Sequence, residues 1–423
     1  MNSVCEPMDI DNFIQTITEE PDVDDHRLIF ADFLEEHNDP RAELIRLQFA
    51  MREIPKSTSK WTSLRSQELK LLRKHGGFGK PPKIGKILSW HGGFVDEIET
   101  TLAQFATRNE ELLAKTTVRG LQLRASSKQF KKSFDSQHLH RLQKLTFKSN
   151  RIPNHELCEF LALDSLRLKE LSIQDGHLTN DVGRTIGRMK HFESLESLDI
   201  TGATESIAAI AIANSPHLSN LTSLTLRYHL DDEGVEKICS SKTFQNLKRL
   251  ELSGEFTNQT ITWLHNATFR STLEELVFRS GNEYDYHYSP PRDGDFGLTS
   301  GFENPLPNLK SLEIGSGMPD DTLVEIAKNY RGLETLDCGF NVIGDQGIAA
   351  LAQSELLSTL KRLVLTGNQV TSTGVDMLCN SEYWTGKTKL YLRSNDISQA
   401  QIKELKEKYG KTFGNFGSDW QRI

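Results

Sequence analysis

Leu360-Lys361-Arg362-Leu363-Val364-Leu365-Thr366-Gly367-Asn368-Gln369-Val370 places apolar residues at 360, 363, 365 and 370 and an asparagine at 368. The alternation suits a short strand with one buried face. Asn368 stands where its amide can satisfy backbone groups as the chain turns out of that strand. The middle apolar position can be followed in both directions. It falls at Leu121, Leu145, Leu171, Leu198, Leu224, Leu250, Leu276, Leu312, Leu336, Leu363 and Leu390, at gaps of 24, 26, 27, 26, 26, 26, 36, 24, 27 and 27 residues. Chance does not hold such a spacing, so the chain is an array of strand-containing repeats. Val95-x-x-Ile98 adds one strand at the front.

The second half of each unit reads as helix. Gly347-Ile348-Ala349-Ala350-Leu351-Ala352 and Gly374-Val375-Asp376-Met377-Leu378-Cys379 align position for position. Small residues at the inward helix site (Ala213, Cys239, Ala352, Cys379) let helix and strand approach closely, and Cys338 falls at a buried strand position. These cysteines therefore read as core residues. The units resemble leucine-rich repeats of the longer ribonuclease-inhibitor type, and Asn341-Val342-Ile343-Gly344-Asp345-Gln346-Gly347 is close to that family's N-x-I-x-D-x-G signature. The resemblance implies an α/β leucine-rich-repeat solenoid, a horseshoe with parallel strands on its concave face and helices on its convex face. The asparagine position is degenerate elsewhere (Ser126, Gly176, Ala203, His229, Glu255, Gly281, Gly317), which implies irregular curvature in the middle repeats.

Before the repeats, residues 9–76 read as four short helices. Asp24 is placed to cap one running through His26–Glu36, Asp39-Pro40 to start the next, and Trp61–His75 to form the last, ended by Gly76-Gly77. Phe13-Ile14-Gln15, Glu20-Pro21-Asp22, Arg27 to Glu36 and Asp39 to Gln48 resemble the bacterial repeat-companion domain, with Phe30 and Phe33 where that family usually has Tyr and Trp. The resemblance implies a small all-α companion to leucine-rich repeats and names no reaction. The expected organisation is an acidic helical domain over 1–76, a connector over 77–93, a solenoid of 11–12 repeats over 94–410 with an insertion near 282–308, and a C-terminal cap over 411–423.

At 423 residues, 26% charged and mean hydropathy −0.47, the chain is of ordinary soluble composition, and no apolar run is long enough to span a bilayer. Its start lacks the basic and apolar regions of a secretory signal, and five cysteines 41 to 153 residues apart form neither a disulfide framework nor a metal knuckle. A cytoplasmic, monomeric protein is expected. The net charge of −8 conceals three zones: residues 1–50 hold 13 acids and 3 bases (−10), 51–150 hold 8 and 20 (+12), and 151–423 hold 37 and 27 (−10). The basic zone either docks on the acidic zone before it or offers a nucleic-acid face. Sparse aromatics among its lysines and the negative total oppose the second reading.

Near-motifs fail one by one. Gly386-Lys387-Thr388 has Ser381 where a phosphate loop needs glycine, and His155-Glu156 is followed by Glu159 instead of the second zinc histidine. Asp22-x-Asp24-Asp25 has Arg27 and Phe33 at the glycine and bidentate-acid positions of a calcium loop, and Asp293-x-Asp295-x-Gly297 has Leu298 at the glycine position. Gly315-Ser316-Gly317 follows Ile314, so it is no nucleophile elbow. No catalytic residue, metal ligand or cofactor site is therefore expected.

Residues flanking the buried leucines point to the concave side. One per repeat, they read Gln122, Thr146, Ser172, Asp199, Thr225, Glu251, Val277, Glu313, Asp337, Val364 and Tyr391, a ladder on the order of 50 Å long at the usual strand spacing. Arg124, Lys144 and Lys148 flank its start; Arg362, Lys389 and Arg393 flank its end. Asp199, Glu251, Glu313, Asp337, Tyr391 and Arg393 are the candidate partner contacts. Tyr284, Tyr286 and Tyr288, in the insertion opened by the 36-residue gap, either anchor a partner or pack on the neighbouring repeat. The expected function is a non-enzymatic scaffold or adaptor for a protein partner. The alternatives are a nucleic-acid-associated protein using residues 51–150 and, by fold analogy alone, a regulator of a nucleotide-binding enzyme.

Overall fold

The computed structural model describes residues 10–56, 58–75, 78, 85–124, 137–148, 152–175, 177–202, 205–280, 298–315 and 317–409. It divides into two units, Met1–Asp175 and Gly176–Ile423.

The first unit opens with α1 (Ile10–Glu19), α2 (Asp24–Glu36), α3 (Arg41–Arg52) and α4 (Ser59–Lys74). Phe13, Ile17, Phe30, Ala31, Leu34, Ala42 and Ile45 form the shared core of α1, α2 and α3, which Phe94 completes. Asp39 Oδ1 accepts from Arg41 N at 2.8 Å, so Asp39-Pro40 does start α3, and Thr58 caps α4 through Trp61 N at 3.2 Å. Asp24 is not the cap of α2. Val23 holds that position, and Asp24 sits in the first turn with its carboxylate on Arg52 and, at 3.1 Å, on His91 Nε2.

The stretch read as a connector contributes a strand, β1 (Lys86–His91), antiparallel to β2 (Phe94–Thr101). The Gly92-Gly93 turn between them has φ of +50° and +80°, a conformation suited to tight hairpins. A Cβ on Gly93 would lie 2.4 Å from Ile45 Cγ1, and one on Gly92 2.3 Å from Arg27 Cδ, so only glycine lets the turn press onto α2 and α3. Arg27 is buried there, donating to Pro21 O at 2.8 Å and lying over the Phe94 ring.

After a capping box at Thr101 and Gln104 come α5 (Leu102–Lys115), β3 (Gly120–Arg124), β4 (Lys144–Lys148), α6 (Asn154–Leu161) and β5 (Glu170–Gln174). The strands are parallel, with Ile98, Leu121, Leu145 and Leu171 in one row. Arg119, Gln143 and Lys169 each precede a row residue by two. All three converge on Asp22, at 3.0, 2.5 and 3.7 Å from its oxygens. Burial alone would raise the Asp22 carboxyl, but Gln143, Lys169 and Arg119 together hold it below its usual value. The acidic N-terminal segment thus packs against the first strands through paired charge, as the charge zones suggested.

The second unit continues the pattern: α7 (Asn180–Arg188), β6 (Ser197–Thr201), α8 (Ser206–Ala213), β7 (Ser223–Leu230), α9 (Asp232–Ser240), β8 (Arg249–Gly254), α10 (Asn258–His265) and β9 (Glu275–Ser280). It then runs β10 (Ser311–Gly315), α11 (Asp320–Asn329), β11 (Thr335–Asp337), α12 (Asp345–Ala352), α13 (Leu356–Thr359), β12 (Arg362–Val364), α14 (Ser372–Cys379), β13 (Lys389–Tyr391) and α15 (Gln399–Tyr409). Leu198, Leu224, Leu250, Leu276, Leu312, Leu336, Leu363 and Leu390 stand in register on parallel strands, and every one is buried. Strand, turn and helix repeating behind one leucine row is a leucine-rich-repeat solenoid of the α/β class.

The turn residues explain the signature. Asn341, Asn368 and Asn395 each donate to carbonyls of their own turn and of the preceding repeat, and each accepts a backbone N–H there: Met318 at 2.8 Å, Ile343 at 3.0 Å and Val370 at 3.0 Å. Where the asparagine position is Gly176, Asp175 serves from one residue earlier, accepting from Ile152 N at 3.1 Å. Asp345 accepts from Thr371 N at 2.9 Å in the next repeat, and a Cβ on Gly374 would lie 2.3 Å from Asp345 Oδ1. The glycine of D-x-G is therefore the room that the preceding repeat's aspartate needs. In the long repeat, described residues 298–310 contain no helix. Buried Leu298 and Phe302 fill that layer, and Glu325 accepts from Gly301 N and Phe302 N, each at 3.0 Å.

Candidate functional site

Alternation turns three residues of each strand away from the helices: those one before, one after and three after the central leucine. In the second unit the middle column reads Asp199, Thr225, Glu251, Val277, Glu313, Asp337, Val364, Tyr391. The outer column reads Thr201, Arg227, Ser253, Arg279, Gly315, Gly339, Thr366, Arg393.

Glu251 is the centre of this face, and it is enclosed. Its side chain has 0% exposure, with Arg227 Nε at 2.6 Å, Arg279 Nη1 at 3.3 Å and Arg249 Nη2 on its other oxygen. Burial would raise its carboxyl, but the hydrogen bond and charge of Arg227, the charge of Arg279 and the bond from Arg249 hold it below its usual value. Arg249 also donates to Thr225 Oγ1 at 2.8 Å and pairs with Glu275 at 3.0 Å, and Arg279 Nε donates to Glu313 Oε1 at 2.8 Å. Glu251 thus fixes three arginines across three strands. Its own carboxylate is enclosed among them, so a molecule resting on this face would meet those side chains. No single-position reading of the sequence suggests this clamp. Stacking the repeats in columns brings its members side by side.

Beyond Arg279 the face opens. Gly315 and Gly339 put no side chain in the outer column, and the next groups are Glu313, Asp337, Arg362, Tyr391 and Arg393. Arg362 lies 4.9 Å over the Tyr391 ring and 3.8 Å from Asp337 Oδ2, and Arg393 is exposed. Burial first, and the Glu313 charge second, push the Asp337 carboxyl up to about 6, against the Gly339 N–H and the charges of Arg362 and Arg279. Asp199 lies apart at the other end of the unit, its Oδ1 accepting from Thr201 Oγ1 at 3.1 Å. Tyr284, Tyr286 and Tyr288 lie outside the described residues.

The raised Asp337 carboxyl has a stability consequence with a definite sign. The folded chain keeps a proton that the unfolded chain releases near 3.8, so stability present below pH 4 or so is lost as the pH rises through about 6. Asp337→Asn is expected to leave stability unchanged at pH about 4 and raise it by about 1–2 kcal/mol at pH about 7.5, after discounting for partial exposure. Urea unfolding across that range checks it; equal stabilisation at both pH values would contradict the assignment.

In the first unit Arg124 pairs with Glu99 at 2.8 Å and Lys144 with Glu170 at 3.2 Å and Glu97 at 3.7 Å, while Lys148 is exposed. Among the described residues, no group of three His, Cys, Asp or Glu is arranged to hold a metal. Cys239 and Cys338 are buried and Cys379 is half-buried; burial pushes all three thiols up, Cys379 to about 12, away from thiolate chemistry.

No curated protein matches the sequence. Among solved structures, the fold is similar to that in the Rad7 and Elc1 complex of yeast, at 14% identity and TM-score 0.45 over 95% of this chain and 91% of that one. It is similar also to an internalin of Listeria monocytogenes (16% identity, TM-score 0.39, 70% of this chain and 88% of that one). A leucine-rich-repeat protein of Leptospira interrogans matches at 19% identity and TM-score 0.35, over 69% of this chain and 70% of that one. The family model described as Leucine Rich repeat matches residues 333–352 and 357–379. Together with the leucines in register at 336 and 363, that match identifies both stretches as leucine-rich repeats.

Proposed function

We propose that the chain is a non-enzymatic scaffold that binds a protein partner on the helix-free face of its repeats, at the part lined by Glu313, Asp337, Tyr391 and Arg393. The observation that carries this is the change of character along the face. Around Glu251 every charge is met by another of the chain's own, whereas toward the last strands two glycines in the outer column, Gly315 and Gly339, adjoin an exposed arginine and a half-buried tyrosine, Arg393 and Tyr391. Tyr and Arg are the residues from which protein interfaces draw most energy. In the same reading residues 94–410 are repeats of the ribonuclease-inhibitor type, which the D-x-G packing at Asp345 and Gly374 supports. Residues 1–76 are a repeat-companion domain, against whose Arg27 and Ile45 the Gly92-Gly93 turn of the first strand pair packs. Among the described residues no helix is long and apolar enough to cross a membrane, and buried thiols suit a reducing cytoplasm.

The test is chemical cross-linking in lysate of the source cells, read by mass spectrometry, with full-length protein. Proteins cross-linked to the wild type should be lost from an Asp337→Ala, Tyr391→Ala, Arg393→Ala variant that melts normally, and kept by Met377→Glu on the helix side, where Met377 is exposed. Identical cross-links from wild type and the triple variant would sink the reading.

A further inference from the structure

Among the described residues of the basic zone some cations sit in ion pairs and others are exposed without one, Lys56, Lys86 and Lys115 as well as four on one helix. Arg52, Arg65, Arg108, Arg119, Arg124 and Lys144 all sit in ion pairs. Lys60, Lys70, Arg73 and Lys74, all on α4, are exposed and carry no ion pair among the described residues. At 100° per residue Lys70, Arg73 and Lys74 fall within one arc of about 100°, and Lys60 lies about 40° beyond it. The other side carries Trp61, Leu64, Glu68, Leu71, Leu72 and His75, which are half-buried or buried. Glu68 is the only acid of α4, and it is turned inward onto Gln48 and Arg65. The charged residues on the solvent side of this 16-residue helix are therefore all cationic, Lys60 at its start and Lys70, Arg73 and Lys74 about 15–21 Å further along, with Ser63, Ser66, Gln67 and Leu69 exposed between them.

We infer that the solvent face of α4 docks the phosphate backbone of a nucleic-acid duplex, independently of any partner on the repeat face. Three of its four cations are lysines. Lysine is depleted at protein interfaces, while as a compact point charge it serves well on phosphates. No aromatic residue stands among the four, so nothing offers the stacking that single strands need. No exposed acid of the helix itself opposes a row of phosphates. The net charge of −8 works against any polyanion at long range, so the contact is sequence-independent and sensitive to salt.

Four phosphate contacts give a slope near −3.6 in log affinity against log salt, so affinity should fall about 100-fold between roughly 50 and 200 mM salt. The experiment follows the anisotropy of labelled duplex DNA and duplex RNA, each about 20 base pairs, with full-length protein. Reversing Lys60, Lys70, Arg73 and Lys74 to Glu should abolish both binding and slope, while reversing Lys190, Lys242, Lys328 and Lys387 to Glu, a charge-matched control, should leave most of the binding. Thermal melting verifies that both variants fold. Absence of duplex binding at low salt, equal loss in the control, or binding of polyglutamate in preference to either duplex would overturn the inference, the last in favour of an acidic protein.

Discussion

Leu250→Ala is expected to lower the unfolding free energy by about 2–5 kcal/mol. Leu250 has no exposed surface and stands in β8 directly between Leu224 and Leu276. Its neighbours cannot collapse into the space it leaves, because each is pinned by strand hydrogen bonds on both sides and packs in turn on the next repeat. The cost therefore contains both the lost burial and an unfilled cavity. A repeat array is stabilised by nearest-neighbour interfaces, so the loss should be local: amide exchange should quicken in β7, β8 and β9 before it changes in β3 and β4. Urea unfolding with exchange measured by mass spectrometry reads both. An unchanged midpoint would mean that the leucine register is wrong.

The rows of leucines were legible because burial repeats with the fold's own period, and a single clean copy at 360–370 sets the phase for the rest. Features that depend on two repeats at once were not legible. Asp175 replaces an asparagine from a neighbouring position because a hydrogen-bonding site in a turn can be filled from either side, and a column search for Asn passes over it. Asp24 looked like a cap because its position in sequence fits one; its carboxylate instead faces Arg52 and His91, brought near by α3 and β1. The strand β1 was hidden because Lys86–His91 lacks a clean apolar alternation in sequence and none of its residues is fully buried, its partner β2 supplying the buried face. Of the candidate site, the column positions were readable, but which charges are spent on one another was not. That depends on side-chain reach across strands, such as Arg279 bridging Glu251 and Glu313.

Glu251→Gln keeps the shape of the clamp and removes its charge, which makes it the cleanest probe of this face. Three arginines then surround a neutral amide whose NH₂ group competes with them for acceptors. Breaking a buried ion pair from one side costs about 3–5 kcal/mol; because Arg227, Arg249 and Arg279 reach solvent, the expected loss is about 2–3 kcal/mol at pH 7. The pH dependence separates charge from packing. Since the folded carboxyl lies below its ordinary value, the stabilisation is present above about pH 4.3 and is lost as the pH falls through the lower folded value. Wild type and Glu251→Gln should therefore differ fully at neutral pH and converge under acid, where the wild-type carboxyl is itself neutral. A difference that stays constant from pH 7 to pH 3 or so would show that Glu251 acts by shape alone. The arginines it holds would then be mobile on the free face, and the contrast between a closed centre and an open end, on which the binding proposal rests, would disappear.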